Sequence, residues 1–123
     1  MSNLQADILS RSRVIAVVGL SPKSDRDSFR VAQGLQEEGY RIVPVNPAAG
    51  VDEILGEKVY PDLESIPFPV DLVDVFRRSE QVPPVAEGAI RVGARYLWLQ
   101  DGVEHAEAAA RAQAAGLTVV QND

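Results

Sequence analysis

Five of the twelve basic residues in this 123-residue chain fall in two short segments, Lys23, Arg26 and Arg30 in one, Arg77 and Arg78 in the other. Each segment follows a run of apolar, mostly β-branched residues: Val14-Ile15-Ala16-Val17-Val18 before the first, Leu72-Val73-Asp74-Val75-Phe76 before the second. Cations gathered where buried strands end are suited to phosphate, because ammonium and guanidinium groups donate charge-assisted hydrogen bonds to its oxygens. Asp25 and Asp27 offset part of that charge. Gly19 to Asp27 joins a strand to a helix. In α/β sheets this first loop binds phosphate on backbone N–H groups at a positive helix end.

The ligand expected there is not a dinucleotide. The fingerprint G-x-G-x-x-G would place glycines at Gly19, Ser21 and Ser24, and the last two are serines. A NAD site also carries an Asp or Glu at the end of the second strand, roughly 20 residues past the glycine loop. This chain has Pro44-Val45-Asn46-Pro47 at that place, with no carboxylate. Both departures point to a nucleotide other than NAD or FAD.

No catalytic constellation accompanies the basic clusters. His105 is the only histidine, and its place at the start of the last helix suits a solvated or capping role. Asp71 and Asp74 are three apart on one strand and therefore point to opposite faces, which argues against a shared site. Asp101 is the isolated acid expected near the ligand, with no base or nucleophile beside it. Ser21, Ser24 and Ser28 lack a histidine partner and read as hydrogen-bond donors. Tyr96 and Trp98 alternate onto one strand face and read as packing.

The elements that must position these residues alternate strand and helix. A leading helix spans Met1 to Ser12, with Leu4, Ile8 and Leu9 at helical spacing. Strand Val14–Val18 follows, then a helix from Ser28 to Glu38 that buries Phe29, Ala32 and Leu35 and ends at Gly39. Strand Arg41–Val45 ends in Asn46-Pro47. Gly50 to Glu57 reads as a loop or single turn, Lys58-Val59-Tyr60 as a short edge strand, and Leu63 to Ile66 as a turn broken by Pro67 and Pro69. Next come strand Asp71–Phe76, a helix capped by Ser79 and running to Val92, and strand Arg95–Leu99. The loop Gln100-Asp101-Gly102, an alanine-rich helix from Val103 to Ala115 and strand Leu117–Val120 complete the chain. This order predicts a Rossmann-like, doubly wound parallel sheet in three layers, α/β/α, with right-handed crossovers. One domain over residues 1–123 is expected, since the length suits a single core.

Composition narrows the class further. At 46% hydrophobic and 24% charged the chain is ordinary for a globular protein. A domain this size buries about two thirds of its unfolded surface and needs no metal or disulfide staple. A formal charge of −6 argues against a nucleic-acid partner. There is no cysteine, hence no disulfide and no thiol chemistry. No apolar run approaches the roughly 18 residues of a membrane span, and the N-terminus does not read as a secretory signal. Cytoplasmic is the expected location, with no membrane partner.

At these residues the chain resembles the small CoA-binding proteins of the YccU-like type, whose domain is similar to the CoA-binding domain of the succinyl-CoA synthetase α subunit. The resemblance rests on Val17-Val18-Gly19-Leu20-Ser21, Gly39-Tyr40, Pro44-Val45-Asn46-Pro47, Val70-Asp71-Leu72-Val73-Asp74-Val75-Phe76-Arg77, and Leu97-Trp98-Leu99-Gln100 with Gly102. These occur in order over nearly the whole chain, and the Val-Asn-Pro and Asp-Val-Phe-Arg segments are the most specific. It implies coenzyme A or an acyl-CoA as the ligand. Gly19 and Ser21 would lie against the phosphates, helped by Lys23, Arg26 and the helix beginning at Ser28. Val45, Asn46 and Pro47 would flank the nucleotide, Phe76 and Arg77 would close the site, and Gln100 and Gly102 would form its other wall. The family usually continues past the last strand with a Cys-containing tail, whereas this chain stops at Gln121-Asn122-Asp123. The phosphohistidine of the synthetase belongs to a separate domain, so that activity does not transfer. The expectation is a CoA-binding protein without catalysis of its own. The alternatives are a partner-dependent acyl-CoA-handling subunit or, more remotely, an NAD(P)-linked reductase.

Overall fold

The structure is a computed structural model that describes residues 3–122. Five parallel strands, β1 (Val14–Val18), β2 (Arg41–Val45), β5 (Leu72–Val75), β6 (Tyr96–Leu99) and β7 (Thr118–Val120), form one sheet in the order β2-β1-β5-β6-β7. The chain first steps to one side of β1 and then returns to the other, so the order reverses between β1 and β5. Helices α1 (Asn3–Ser10) and α2 (Asp27–Glu37) cover one face, α3 (Val82–Arg91) and α4 (Ala106–Ala114) the other. The strand period of two explains both cores. Ile15 and Val17 pack with Ile8, Ala32 and Trp98 under α1 and α2, while Ala16 and Val18 pack with Val82, Ala86 and Ala112 under α3 and α4.

Several boundaries differ from the sequence expectation. The leading helix starts at Asn3, and its expected first residues Met1 and Ser2 lie outside the described residues. Leu4 is 49% exposed, whereas Gln5 and Ile8 are buried, so the buried face is rotated from the one the three apolar residues mark. The expected edge strand Lys58–Tyr60 is replaced by a small antiparallel hairpin, β3 (Glu53–Ile54) with β4 (Glu57–Lys58). Its two-residue turn, Leu55-Gly56, has positive φ at both positions, the geometry that matches strand twist in tight hairpins. Tyr60 instead makes a parallel bridge to Val45.

Ser79 does not cap the third helix. It opens a single 3₁₀ turn, Ser79–Gln81, and its Oγ accepts a hydrogen bond from Glu104 N at 3.0 Å. The last helix begins at Ala106 instead of Val103, because His105 is its N-cap: Nδ1 accepts from Ala108 N at 3.1 Å. No helix among the described residues is long and apolar enough to cross a membrane.

Candidate functional site

Gly19, Asn46, Arg77 and Gln100 follow the carboxyl ends of four adjacent strands and meet at one edge of the sheet, across the point where strand order reverses. The turn after β1 requires glycine for two reasons. Gly19 has φ of +86°, and a Cβ there would collide with the carbonyl oxygen of Phe76 and lie 3.0 Å from Arg77 Cδ. Its N–H donates to Val45 O at 2.8 Å, and Phe76 N donates to Val18 O at 2.8 Å. The loops after β1, β2 and β5 are thereby drawn into one rim.

Polar side chains of the first two loops serve that rim. Asn46 Nδ2 donates to Leu20 O at 2.9 Å, and Asn46 Oδ1 accepts from Ala48 N at 2.9 Å. Ser28 Oγ accepts from Ser21 N at 3.0 Å, and Ser21 Oγ accepts from Lys23 N at 3.1 Å. These bonds hold the loops in shape, and Ser28 is buried. Arg26, at the cap position of α2, makes no side-chain cap hydrogen bond, which leaves first-turn N–H groups free of a side-chain partner.

Two cavities flank the rim on opposite faces of the sheet. On the α3 face, a cavity of about 380 Å³ is walled by Val45, Pro47, Leu63, Pro84, Val85 and Gly88. On the α2 face, a cleft of about 510 Å³ lies between Arg30 and Val31 of α2 and Phe76, Arg78, Gln100 and Asp101 at the sheet end. Arg77 lines both. Among the described residues Arg77 and Arg78 make no ion pair, whereas Arg30 is held by Asp27 at 2.6 Å and by the Asp25 carbonyl at 2.9 Å.

The expected site residues thus divide. Val45, Pro47, Phe76, Arg77 and Gln100 line the cavities. Gly19, Ser21, Ser28 and Asn46 build the rim behind them. Lys23 and Arg26 are exposed and line neither cavity. Gly102 is also outside both, with φ of +83° and its N–H donating to Asn122 Oδ1 at 2.5 Å. Arg30 and Arg78 line the cleft, although the sequence reading counted them only as part of the basic cluster.

Asp74, weighed in the sequence only as a partner for Asp71, is distinguished here by its burial. It is 3% exposed, and its Oδ1 accepts from Gln100 Nε2 at 2.5 Å. Burial pushes the Asp74 carboxyl up to about 7, with the Gln100 hydrogen bond pulling the other way. A carboxyl held there beside a cleft is a recurrent sign of a functional site. The signal in the sequence was an Asp inside an otherwise apolar strand. Asp71 lies at the opposite edge, where Oδ2 accepts from Arg13 N at 2.9 Å and Val14 N at 3.0 Å, so the two aspartates share no site. Tyr96 and Trp98 pack in the core under α1 and α2.

Comparison with known proteins gives the family. Residues 13–123 match the model of the CoA binding domain family. The chain is 46% identical over 116 residues to the uncharacterized protein YneT of Bacillus subtilis, covering 94% of this chain and 84% of that one. It is 33% identical over 88 residues to the α subunit of the ADP-forming acetate–CoA ligase I of Pyrococcus furiosus, covering 68% of this chain but only 19% of that subunit. A hypothetical protein from Pyrococcus horikoshii superposes with a TM-score of 0.92 at 38% identity, covering 99% of this chain and 85% of that one. The chain belongs to the CoA binding domain family.

Proposed function

We propose that this chain binds coenzyme A, free or as an acyl thioester, across the carboxyl edge of its sheet. The observation that carries this reading is the pair of cavities on opposite sheet faces joined at Arg77, beside the uncapped start of α2. An extended ligand with an aromatic base, a charged middle and a polar arm matches that arrangement. The adenine takes the apolar cavity between Val45, Pro47 and Leu63. The phosphates lie over the rim, within reach of Arg77 and the first turn of α2, where backbone N–H groups favour negative charge. The pantetheine arm runs into the cleft past Phe76 and Gln100. No cluster of metal-ligating side chains is found among the described residues, and binding is the activity proposed.

Thermal unfolding with CoA, dephospho-CoA, NAD, FAD and ATP tests this reading. A ligand at about 100 times its Kd stabilises by roughly 2.7 kcal/mol, a shift of several degrees for a domain of this size. CoA is expected to give the largest shift, and a larger one with NADH would favour the reductase alternative. Arg77→Ala should retain the fold and weaken CoA about ten- to a hundredfold, since a hydrogen bond to a charged group contributes about 1.5–3 kcal/mol. Unchanged affinity in that variant would place the nucleotide elsewhere.

A second reading is favoured by the similarity to the acetate–CoA ligase subunit. Here the chain presents CoA to a separate partner that carries the acyl-transfer chemistry. Co-purification with a subunit that makes acyl-CoA turnover depend on this chain would support it.

A further inference from the structure

Asp74 is the only buried charged side chain among the described residues, and its hydrogen-bond partner Gln100 lines the cleft. Its cross-strand neighbours are Val17 and Trp98, and it shares a sheet face with Phe76 and Gln100. An ionised carboxylate can only accept, so it holds the Gln100 amide with Nε2 turned inward. Gln100 lines the cleft, and with Nε2 committed to Asp74 its Oε1 is the amide end left to meet a ligand.

We infer that Asp74 is a positioning residue: it orients the Gln100 amide so that Oε1 is offered to the cleft as a hydrogen-bond acceptor, selecting a ligand that presents an N–H there. Resting on the CoA reading above, that donor is a secondary amide of the pantetheine arm. A protonated Asp74 can donate to Oε1 instead, which frees the amide to turn and present Nε2. The acceptor is then lost and the N–H of the ligand meets another N–H. Burial holds the Asp74 carboxyl up at about 7, so the change falls near neutral pH.

The charged groups of the surrounding elements stand apart from the pair. Asp27 and Arg30 of α2, Arg77 and Arg78 after β5 and Asp101 after β6 line the cleft. Asp7 and Arg11 at the end of α1 pair with each other. Tyr96 is the titratable group on the same face of β6, while β1 contributes Val17.

Calorimetric titration of CoA into the parent and Asp74→Asn between pH 6 and 8.5 tests the inference. Asn carries both donor and acceptor and does not titrate, so it removes the bias without removing volume. At pH 8 the variant should bind CoA about three- to tenfold more weakly, the span of one neutral hydrogen bond. The ratio of variant to parent should close toward one at pH 6, where ligand protonation cancels. Adenosine 3′,5′-bisphosphate, which lacks the pantetheine arm, should bind both alike throughout.

Equal CoA affinity at pH 8, a ratio that does not vary with pH, or an equal loss for the bisphosphate would each overturn the inference. In the parent without ligand, the side-chain amide resonances of Gln100 should shift with a midpoint near pH 7. Resonances that stay flat across the range overturn the inference whatever the variant does. A parent that fails to bind CoA sinks the ligand reading alone, and the amide titration then still decides the relation between Asp74 and Gln100.

Discussion

At the amino edge of the sheet, the carboxylate of Asp71 accepts the backbone N–H groups of Arg13 and Val14 and ties the entry of β1 to that of β5. Three residues further along, toward the carboxyl edge, Asp74 is buried between Val17 and Trp98 and accepts from the Gln100 amide. The same type of side chain closes the structure where it precedes β5 and burdens it where it lies within β5. Backbone groups at the amino edge find partners within the protein. At the carboxyl edge, the guanidinium groups of Arg77 and Arg78 have no ion-pair partner among the described residues, and the start of α2 has no side-chain cap. A buried carboxyl and guanidinium groups without ion-pair partners thus collect at the carboxyl edge, while the carboxylate of the amino edge is engaged by backbone N–H groups.

The sharpest way to break this comparison is Gly19→Val. A side chain there meets the Phe76 carbonyl and must adopt φ near +86°, so a loss of about 3 kcal/mol or more, or failure to fold, is expected in urea denaturation. Such a loss would mark the glycine as a packing requirement of the rim, and its effect on CoA could not be read separately. A near-native midpoint would show that the rim is looser than its hydrogen bonds indicate.

Asp74→Asn tests the burden directly. Folded Asp74 holds its proton up to about pH 7, whereas the unfolded chain releases it near the ordinary carboxyl value of 3.8. Stability from this group is therefore complete below pH 4 and declines as pH rises through 7, by about 4 kcal/mol in total. The variant should unfold at a higher temperature than the parent at pH 8, and the two should converge toward pH 4. A variant less stable than the parent at pH 8 would mean that ionised Asp74 is better solvated than its burial implies.

Asp71→Ala should act in the opposite sense. It leaves the Arg13 and Val14 N–H groups without their acceptor, at a cost of about 1–3 kcal/mol in thermal or urea unfolding, with CoA affinity unchanged. A loss of CoA affinity in that variant, measured on protein shown to be folded, would join the two edges functionally. The smallest effects belong to Lys23→Ala and Arg26→Ala. Both residues are exposed and line neither cavity, so CoA should weaken by less than about threefold, the range of a screened surface charge. A tenfold loss in either would extend the phosphate site outward along the first loop.

Much of this molecule was legible in its residues. The run Val14–Val18 ending at a glycine, and the alternation of strand and helix behind it, predict a parallel sheet and the loops that meet at its carboxyl edge. The Val-Asn-Pro and Asp-Val-Phe-Arg segments mark two of the loops that meet there. What was misread shares one cause, which is that a short segment is set by its neighbours. The hairpin at Glu53–Lys58, the 3₁₀ turn at Ser79 and the late start of α4 each depend on partners distant in sequence, such as Glu104 for Ser79. Lys23 and Arg26 look equivalent to Arg77 as charges in a loop, and only the folded chain sets them apart.

The sequence by itself determined the fold class, the strand face each apolar residue takes, and the gathering of cations at one sheet edge, because hydrophobic period and chain reversal are local properties. Tertiary structure alone decided which cation stands between the two cavities, that the loop serines and Asn46 are engaged in holding the rim, and that Asp74 is buried beneath Gln100. Hydrogen-bond partners and desolvation depend on groups brought together from separate strands, and no spacing along the chain encodes how deeply a carboxyl will lie.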